Sequence, residues 1–335
     1  MTLPQVRLQP WYPGLMGVPG SDVQRGLRWS PTSIVLYVDP QNNNASDAAD
    51  GTDPENPLIT IQQAVDQLVA FQTACAESLE GSVIVVAAQA DITESVIVGP
   101  TAPAWCTIMG AGNGAYNPIW NSDLAANPCL TIRQLGWRVT GFRFRPPVSS
   151  SAIQLAWVPA SEYVGNHVIV DNNQFFGEWQ GLYGIELTGA PFNVQILNNE
   201  FAEIGSIGGG GAAYAICVTD SSEANPYENR IIGNVFWEND NHIGSVSSDR
   251  AWNVSLFMHN VFHPGVLNPT VLKLDLRGGT RGRNIVTGNY FGGTYTNAGG
   301  YYANALTPDS CWIGNVTEAT PGTVADNGLT VRVPA

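Results

Sequence analysis

A short motif, asparagine then any residue then an aromatic or β-branched one, returns six times in the second half of the chain, each time closing a β-type stretch. The copies are VIVDNNQFFG (168–177), VQILNNEFAEIG (194–205), RIIGNVFWEN (230–239), SLFMHNVFHPG (255–265), NIVTGNYFGG (284–293) and CWIGNVTEA (311–319). Counted at Asn173, Asn199, Asn234, Asn260, Asn289 and Asn315, the intervals are 26, 35, 26, 29 and 26 residues. Self-similarity at such a period marks stacked repeats. Apolar positions alternate, and β-branched residues such as Ile169, Ile196, Ile231 and Ile285 dominate, which excludes an α-helical solenoid. Each unit therefore reads as one coil of short strands.

One coil cannot bury its apolar side alone, so neighbouring coils must supply a continuous core. Phe175, Phe201, Phe236, Phe262 and Phe291 are expected to stack inside it. The repeated asparagines are expected to form a second ladder at the bend, where Asn tolerates left-handed backbone and its amide satisfies bend N–H groups. Upstream, WRVTGFRFRPP (137–147) puts Phe142 and Phe144 at the places of Asn173 and Phe175. CLTIRQ (129–134) and CTIMGAG (106–112) read as earlier copies, and GSVIVVAAQADITESVIV (81–98) as two β segments around a turn. Eight or nine coils are expected, in an all-β fold.

The first coil needs a cover over its core and strand edges. ITIQQAVDQLVAFQTACAESL (59–79) reads as that cover, with Ile61, Ala64, Val65, Leu68 and Val69 at helical spacing and a capping box from Thr60 to Gln63. After 319, the turn-rich PGTVADNG and the short strand LTVRV (329–333) read either as the end of the stack or as a segment that swaps into a neighbour.

Composition narrows the partners. A charge of −14, from 14 basic and 28 acidic residues among 335, repels nucleic acid and anionic membranes. No window reaches the roughly 18 apolar residues of a membrane span, and the N-terminus lacks the basic and apolar pattern of a secretion signal. Cys75, Cys106, Cys129, Cys217 and Cys311 are scattered and read as buried thiols rather than a disulfide framework.

YVDPQNNNASDAADGTDPENPLITIQQAVDQL (37–68) resembles the opening segment of pectate-lyase-like right-handed parallel β-helix proteins: a strand, Asp-Pro, a polar loop with Asp-Gly-Thr, then Pro, Thr-Ile and a helix. The resemblance runs over about residues 34–335 and implies a leader (1–33), an opening strand, loop and capping helix (34–80), coils (81–319) and an end segment (320–335). Its members include polysaccharide lyases, hydrolases, epimerases and noncatalytic virion proteins. The leader, with Trp11, Tyr12 and Trp29, is similar to the docking segment of phage tailspikes. That likeness implies a virion location, a homotrimer, contact with other virion proteins through the leader, and binding of a host surface glycan.

Two functions follow as expectations: a structural or adhesin-like virion appendage, and a polysaccharide depolymerase on the same scaffold. A carbohydrate-binding module of a larger secreted assembly is a third. Glycoside hydrolysis needs two carboxyl groups about 5–5.5 Å apart for retention or about 6.5–9.5 Å for inversion. Acids on adjacent coils meet such spacing, and Glu178, Asp220, Glu238 and Asp240 are the catalytic candidates, with Glu186, Glu203 and Asp275 as further acids beside aromatic residues. Trp179, Trp237, Tyr295, Tyr301 and Tyr302 offer flat, amphipathic area for sugar binding. Lyase chemistry finds its nearest match in Lys273, Asp275 and Arg277 of VLKLDLR. His167, His242, His259 and His263 lack metal-site spacing, and IGGGGAA (207–213) lacks the phosphate-loop ending, so no metal or cofactor is expected.

Overall fold

The computed structural model describes residues 32–75, 77–156, 165–206, 212–219, 226–246, 252–263, 274–276, 283–292, 302–303 and 311–317, without the side chains of 275, 302, 303, 312 and 317. The leader up to residue 31 and the end segment from 318 lie outside these residues.

Three parallel sheets wind around one core, with ten strands in the first (sheet A), nine in the second (sheet B) and eight in the third (sheet C). Sheet A begins with the opening strand Val35–Val38, paired in parallel with Val83–Val86. Nine A strands remain, matched by nine in B and eight in C, which makes eight complete coils and the start of a ninth among the described residues. The stretch 81–98 holds three strands, Val83–Val86, Asp91–Thr93 and Val96–Val98, and so forms a whole coil rather than two β segments. CTIMGAG lies in sheet A, as its likeness to the later repeats requires, but CLTIRQ supplies Leu130–Ile132 of sheet C. Its apolar alternation is the same on every sheet, and nothing in the segment marks which face it occupies.

Inside, the aromatic ladder is continuous. Ring centroids of Phe144, Phe175, Phe201, Phe236, Phe262 and Phe291 follow one another at 5.1, 4.6, 5.0, 5.1 and 4.8 Å, tilted by no more than 15°. Trp120 extends it upward, 5.3 Å from Phe144. The asparagine ladder runs beside it at the corner between sheets A and B. Each Oδ1 accepts the backbone N–H of the ladder residue one coil earlier, from Phe142 onto Asn173 at 3.0 Å down to Asn289 onto Asn315 at 3.0 Å. All six asparagines are at most 2% exposed. The left-handed residue is not the ladder asparagine but the one before it: Asn172, Asn198, Gly233, His259, Gly288 and Gly314, with φ between 53° and 69°. Asn229, Ser255 and Asn284 form a second, shorter ladder ahead of sheet A through Asn229 N to Ser255 Oγ (3.3 Å) and Ser255 N to Asn284 Oδ1 (2.9 Å).

The cover over the first coil is the helix Ile61–Cys75, shorter than 59–79, with Ile61, Ala64, Val65 and Leu68 buried against the core. Thr60 Oγ1 accepts the Gln63 N–H at 3.2 Å, but the return bond of a capping box is replaced by Asp47, which accepts from Ile59 and Thr60. Glu94, from the first coil, closes the remaining N–H groups by accepting from Ile61 (2.7 Å) and Gln62 (3.1 Å). Burial holds the Glu94 carboxyl above its ordinary value despite these bonds. Glu94→Ala is expected to cost about 1–2 kcal/mol in urea unfolding, the usual loss for a cap. A folded pKa raised above the unfolded one means that Glu94 stabilises most in acid. The variant's deficit should therefore be largest below pH 4.5 and shrink as pH rises above it.

Cys106, Cys129 and Cys217 are buried, as expected of inert thiols, whereas Cys75 and Cys311 are half-buried; none is bridged. Burial pushes the three buried thiols far up, so they stay protonated. No helix among the described residues is long and apolar enough to cross a membrane.

Candidate functional site

Strands of sheet B send alternate residues outward, and on coils three to six those are Arg143 and Arg145, Gln174 and Phe176, Glu200 and Ala202, and Val235 and Trp237, held in register by parallel pairing. The ring of Phe176 meets Trp237 edge-on at 6.2 Å, and the Arg143 guanidinium lies 4.8 Å over Phe176. Glu200 ties the platform together, accepting from Trp237 Nε1 and Gln174 Nε2, both at 3.1 Å.

At the end of these strands the chain turns towards sheet C, and each of three consecutive coils places a glutamate in the turn. Glu178, Glu203 and Glu238 all adopt left-handed backbone, with φ of 49°, 55° and 52°. A side chain bearing Cβ rarely takes this conformation, and like charges on neighbouring strands repel, so the row costs stability twice. The local fold explains the placement: Gly177 N donates to Ala202 O at 2.9 Å and Trp179 N to Glu203 O at 2.8 Å, which stacks one turn on the next. Burial, then the charges of Glu238 and Glu178, raise the pKa of Glu203. Glu178 is half-exposed and forms a 3.0 Å ion pair with Arg145. Both line a cleft of about 340 Å³ together with Phe176, Asn121 and Pro146.

Of the acids singled out in the sequence, Glu178 and Glu238 thus share one edge, with Glu203 between them. Asp240 turns away from it: it is 2% exposed, and its carboxylate packs under Gly205 and accepts from Ser206 N at 3.2 Å. Glu186 lies on sheet C, where Ser151, Gln154, Thr188 and Thr219 donate to it at 2.7–3.1 Å and fill its acceptor sites. Trp237 belongs to the platform, whereas Trp179 is half-buried in the turn. Asp220, Tyr295, Tyr301, Lys273 and Arg277 lie outside the described residues, as do the side chains of Asp275 and Tyr302. Arg143, Arg145, Phe176 and Glu200 carried no signal in the sequence reading; the distance from each ladder phenylalanine would have placed them on one outer face. Among the described residues no group of three His, Cys, Asp or Glu is arranged to hold a metal ion.

No family model matches the chain, and no curated protein matches it in sequence. Among solved structures, an alginate lyase from Paenibacillus sp. str. FPU-7 superimposes with a TM-score of 0.51 at 15% identity, covering 77% of this chain and 94% of its own. Pectin methylesterase from carrot gives 0.42 at 12%, covering 89% and 87%. A tailspike double mutant of E. coli bacteriophage HK620 gives 0.42 at 11%, covering 87% and 64%. At this identity the likeness to the alginate lyase shows the fold alone, and a shared fold does not assign an activity. With its three parallel sheets, the helix over the first coil and the likeness to the alginate lyase, the chain has a right-handed parallel β-helix fold.

Proposed function

We propose that the chain is a polysaccharide hydrolase whose reacting carboxyl groups are Glu203 and Glu238. The observation that carries this reading is the glutamate row: a carboxyl that retains its proton to higher pH stands between two others, beside an aromatic platform. Pairs of carboxyls with environments that push their pKa values apart take opposite roles in glycoside cleavage. Neighbouring coils rise by about 4.8 Å, which suits the separation of a retaining pair better than that of an inverting one. Of the two glutamates that flank Glu203, Glu238 adjoins Trp237 of the aromatic platform and is assigned as the nucleophile.

In this reading the Glu203 proton passes to the glycosidic oxygen as its bond to the anomeric carbon breaks, and the Glu238 carboxylate forms an ester to that carbon. Water then attacks the same carbon, gives its proton to Glu203 and releases Glu238. Phe176 and Trp237 hold the sugar rings. The row of carboxylates repels a polyanion, so a neutral glycan is the favoured substrate.

Reducing ends should be released from a neutral polysaccharide with retained anomeric configuration, and Glu203→Gln should lower kcat by about 10²-fold or more. The rate should fall as Glu203 loses its proton, on a basic limb displaced above the ordinary glutamate value of 4.5. Turnover that survives replacement of all three glutamates by Gln, or that inverts the anomer, would reject the assignment.

A trimeric virion appendage attached through residues 1–33 is the second reading. It is favoured by outward apolar side chains at Val235, Ile285, Ile313 and Val316, exposed by 38–52%. Light scattering decides it: a trimer at micromolar concentration supports this reading, and a monomer rejects it.

A further inference from the structure

From the third coil on, the chain crosses from sheet A to sheet B in two residues, but the second coil spends eight, between Gly110 and Ile119. This insertion carries a 3₁₀ turn, Gly114–Tyr116, and stands as a wall over the bends below. Between wall and bends runs a groove of about 720 Å³ across five coils, from Met109 to Val235.

The groove is kept open by its backbone. A Cβ at Gly110 would lie 2.3 Å from the Gly141 carbonyl oxygen, and one at Gly233 would lie 2.4 Å from Asn198 Oδ1. Its polar lining is mainly amide: Asn113, Asn117, Asn172, Gln174 and Asn198, with Glu200 as the carboxylate and no Lys, Arg or His among the described residues. Asn172 and Asn198 are exposed, one coil apart, at the same bend position. Asn117 is 7% exposed, and its Oδ1 has no hydrogen-bond partner. An unpaired buried acceptor is costly to the fold, and a hydroxyl donor from a ligand would satisfy it.

Amide donors and acceptors repeated at coil spacing, with no cation to meet an acid, match a chain of uncharged hydroxyl-bearing rings and reject polyanions. We infer that the groove along the A–B bends is a binding site for a neutral oligosaccharide, separate from the glutamate row. It does not rest on hydrolysis by that row, which lies at the other edge of sheet B.

The test uses the full-length Glu203→Gln protein, so that binding is read without turnover. Calorimetry and saturation-transfer NMR would follow hexasaccharides of neutral α- and β-linked glucans, mannans and galactans, with oligogalacturonate as the anionic control. At least one neutral hexasaccharide should bind, and oligogalacturonate should not. Asn172→Gly with Asn198→Gly keeps the left-handed backbone and strips the amides; affinity should fall at least tenfold. Asn113→Trp, on the exposed wall, should block the groove to a similar degree even where the double variant folds poorly. Absence of binding across the neutral panel, preference for the anionic control, or affinity unchanged in Asn113→Trp would overturn the inference. Binding intact in Glu203→Gln, with no hydrolysis of the same glycan by the unsubstituted protein, would instead reject the glutamate row alone.

Discussion

Asn234→Asp is expected to be among the most damaging single-atom changes available to this protein. Asn234 Oδ1 accepts from Asn199 N at 2.9 Å and Nδ2 at 3.1 Å, while its own Nδ2 faces Ile196 O (2.9 Å), Ile232 O (3.2 Å) and Asn260 Oδ1 (3.1 Å). An aspartate would turn a second oxygen towards three oxygens in a fully buried corner. One proton could relieve only one of those contacts, so the loss should reach about 3–5 kcal/mol at neutral pH. Burial raises the pKa of such a group in the folded state, so the variant's folded form holds its proton to higher pH than the unfolded chain. Its stability should then fall as pH rises above about 3.9, the unfolded value. Urea unfolding at pH 4 and pH 7.5 reads this directly, and a variant as stable as the parent at pH 7.5 would mean that the ladder is dispensable.

Phe236→Ala should lose about 3–5 kcal/mol by a different route, the removal of a buried ring and the cavity it leaves. Phe236 is parallel to Phe201 at 5.0 Å and to Phe262 at 5.1 Å, so its absence strips both neighbours of a stacking face. Its chain neighbour Val235 points outward and is 38% exposed, and Val235→Ala should change stability by no more than about 0.5 kcal/mol. Equal losses from the two variants would contradict the alternation of inside and outside on which the coil depends.

Much of this was legible because one triplet carries both ladders. Asn234 and Phe236 fix the corner and the core at once, so aligning six triplets sets the register of sheets A and B. Sheet C has no such polar marker: Ile153, Ile185, Ile216 and Ile243 stack in register, but an isoleucine in an alternating strand looks the same on every sheet. CLTIRQ therefore reads as one more copy of the sheet A pattern although it lies in sheet C. Glu94 caps a helix 33 residues earlier in the chain, a contact created by winding and invisible to local pattern. The glutamate row is hidden by a slip in count, falling three residues after Phe175 but two after Phe201 and Phe236, with Gly177 taking up the difference. Pairing of Arg145 with Glu178 and of Trp237 with Glu200 joins residues 33 and 37 apart, a reach set by unequal coil lengths.

The two-residue crossing at the asparagine corner has a consequence for how such a chain can change. Because it clamps the phase of every coil from the third onward, extra sequence spliced in at either of the other corners leaves the winding above and below undisturbed. Coils of 26, 29 and 35 residues already share one spine. A foreign recognition segment grafted between Ala202 and Tyr214 would inherit a rigid mount, whereas the same graft between Leu197 and Glu200 would shear the column.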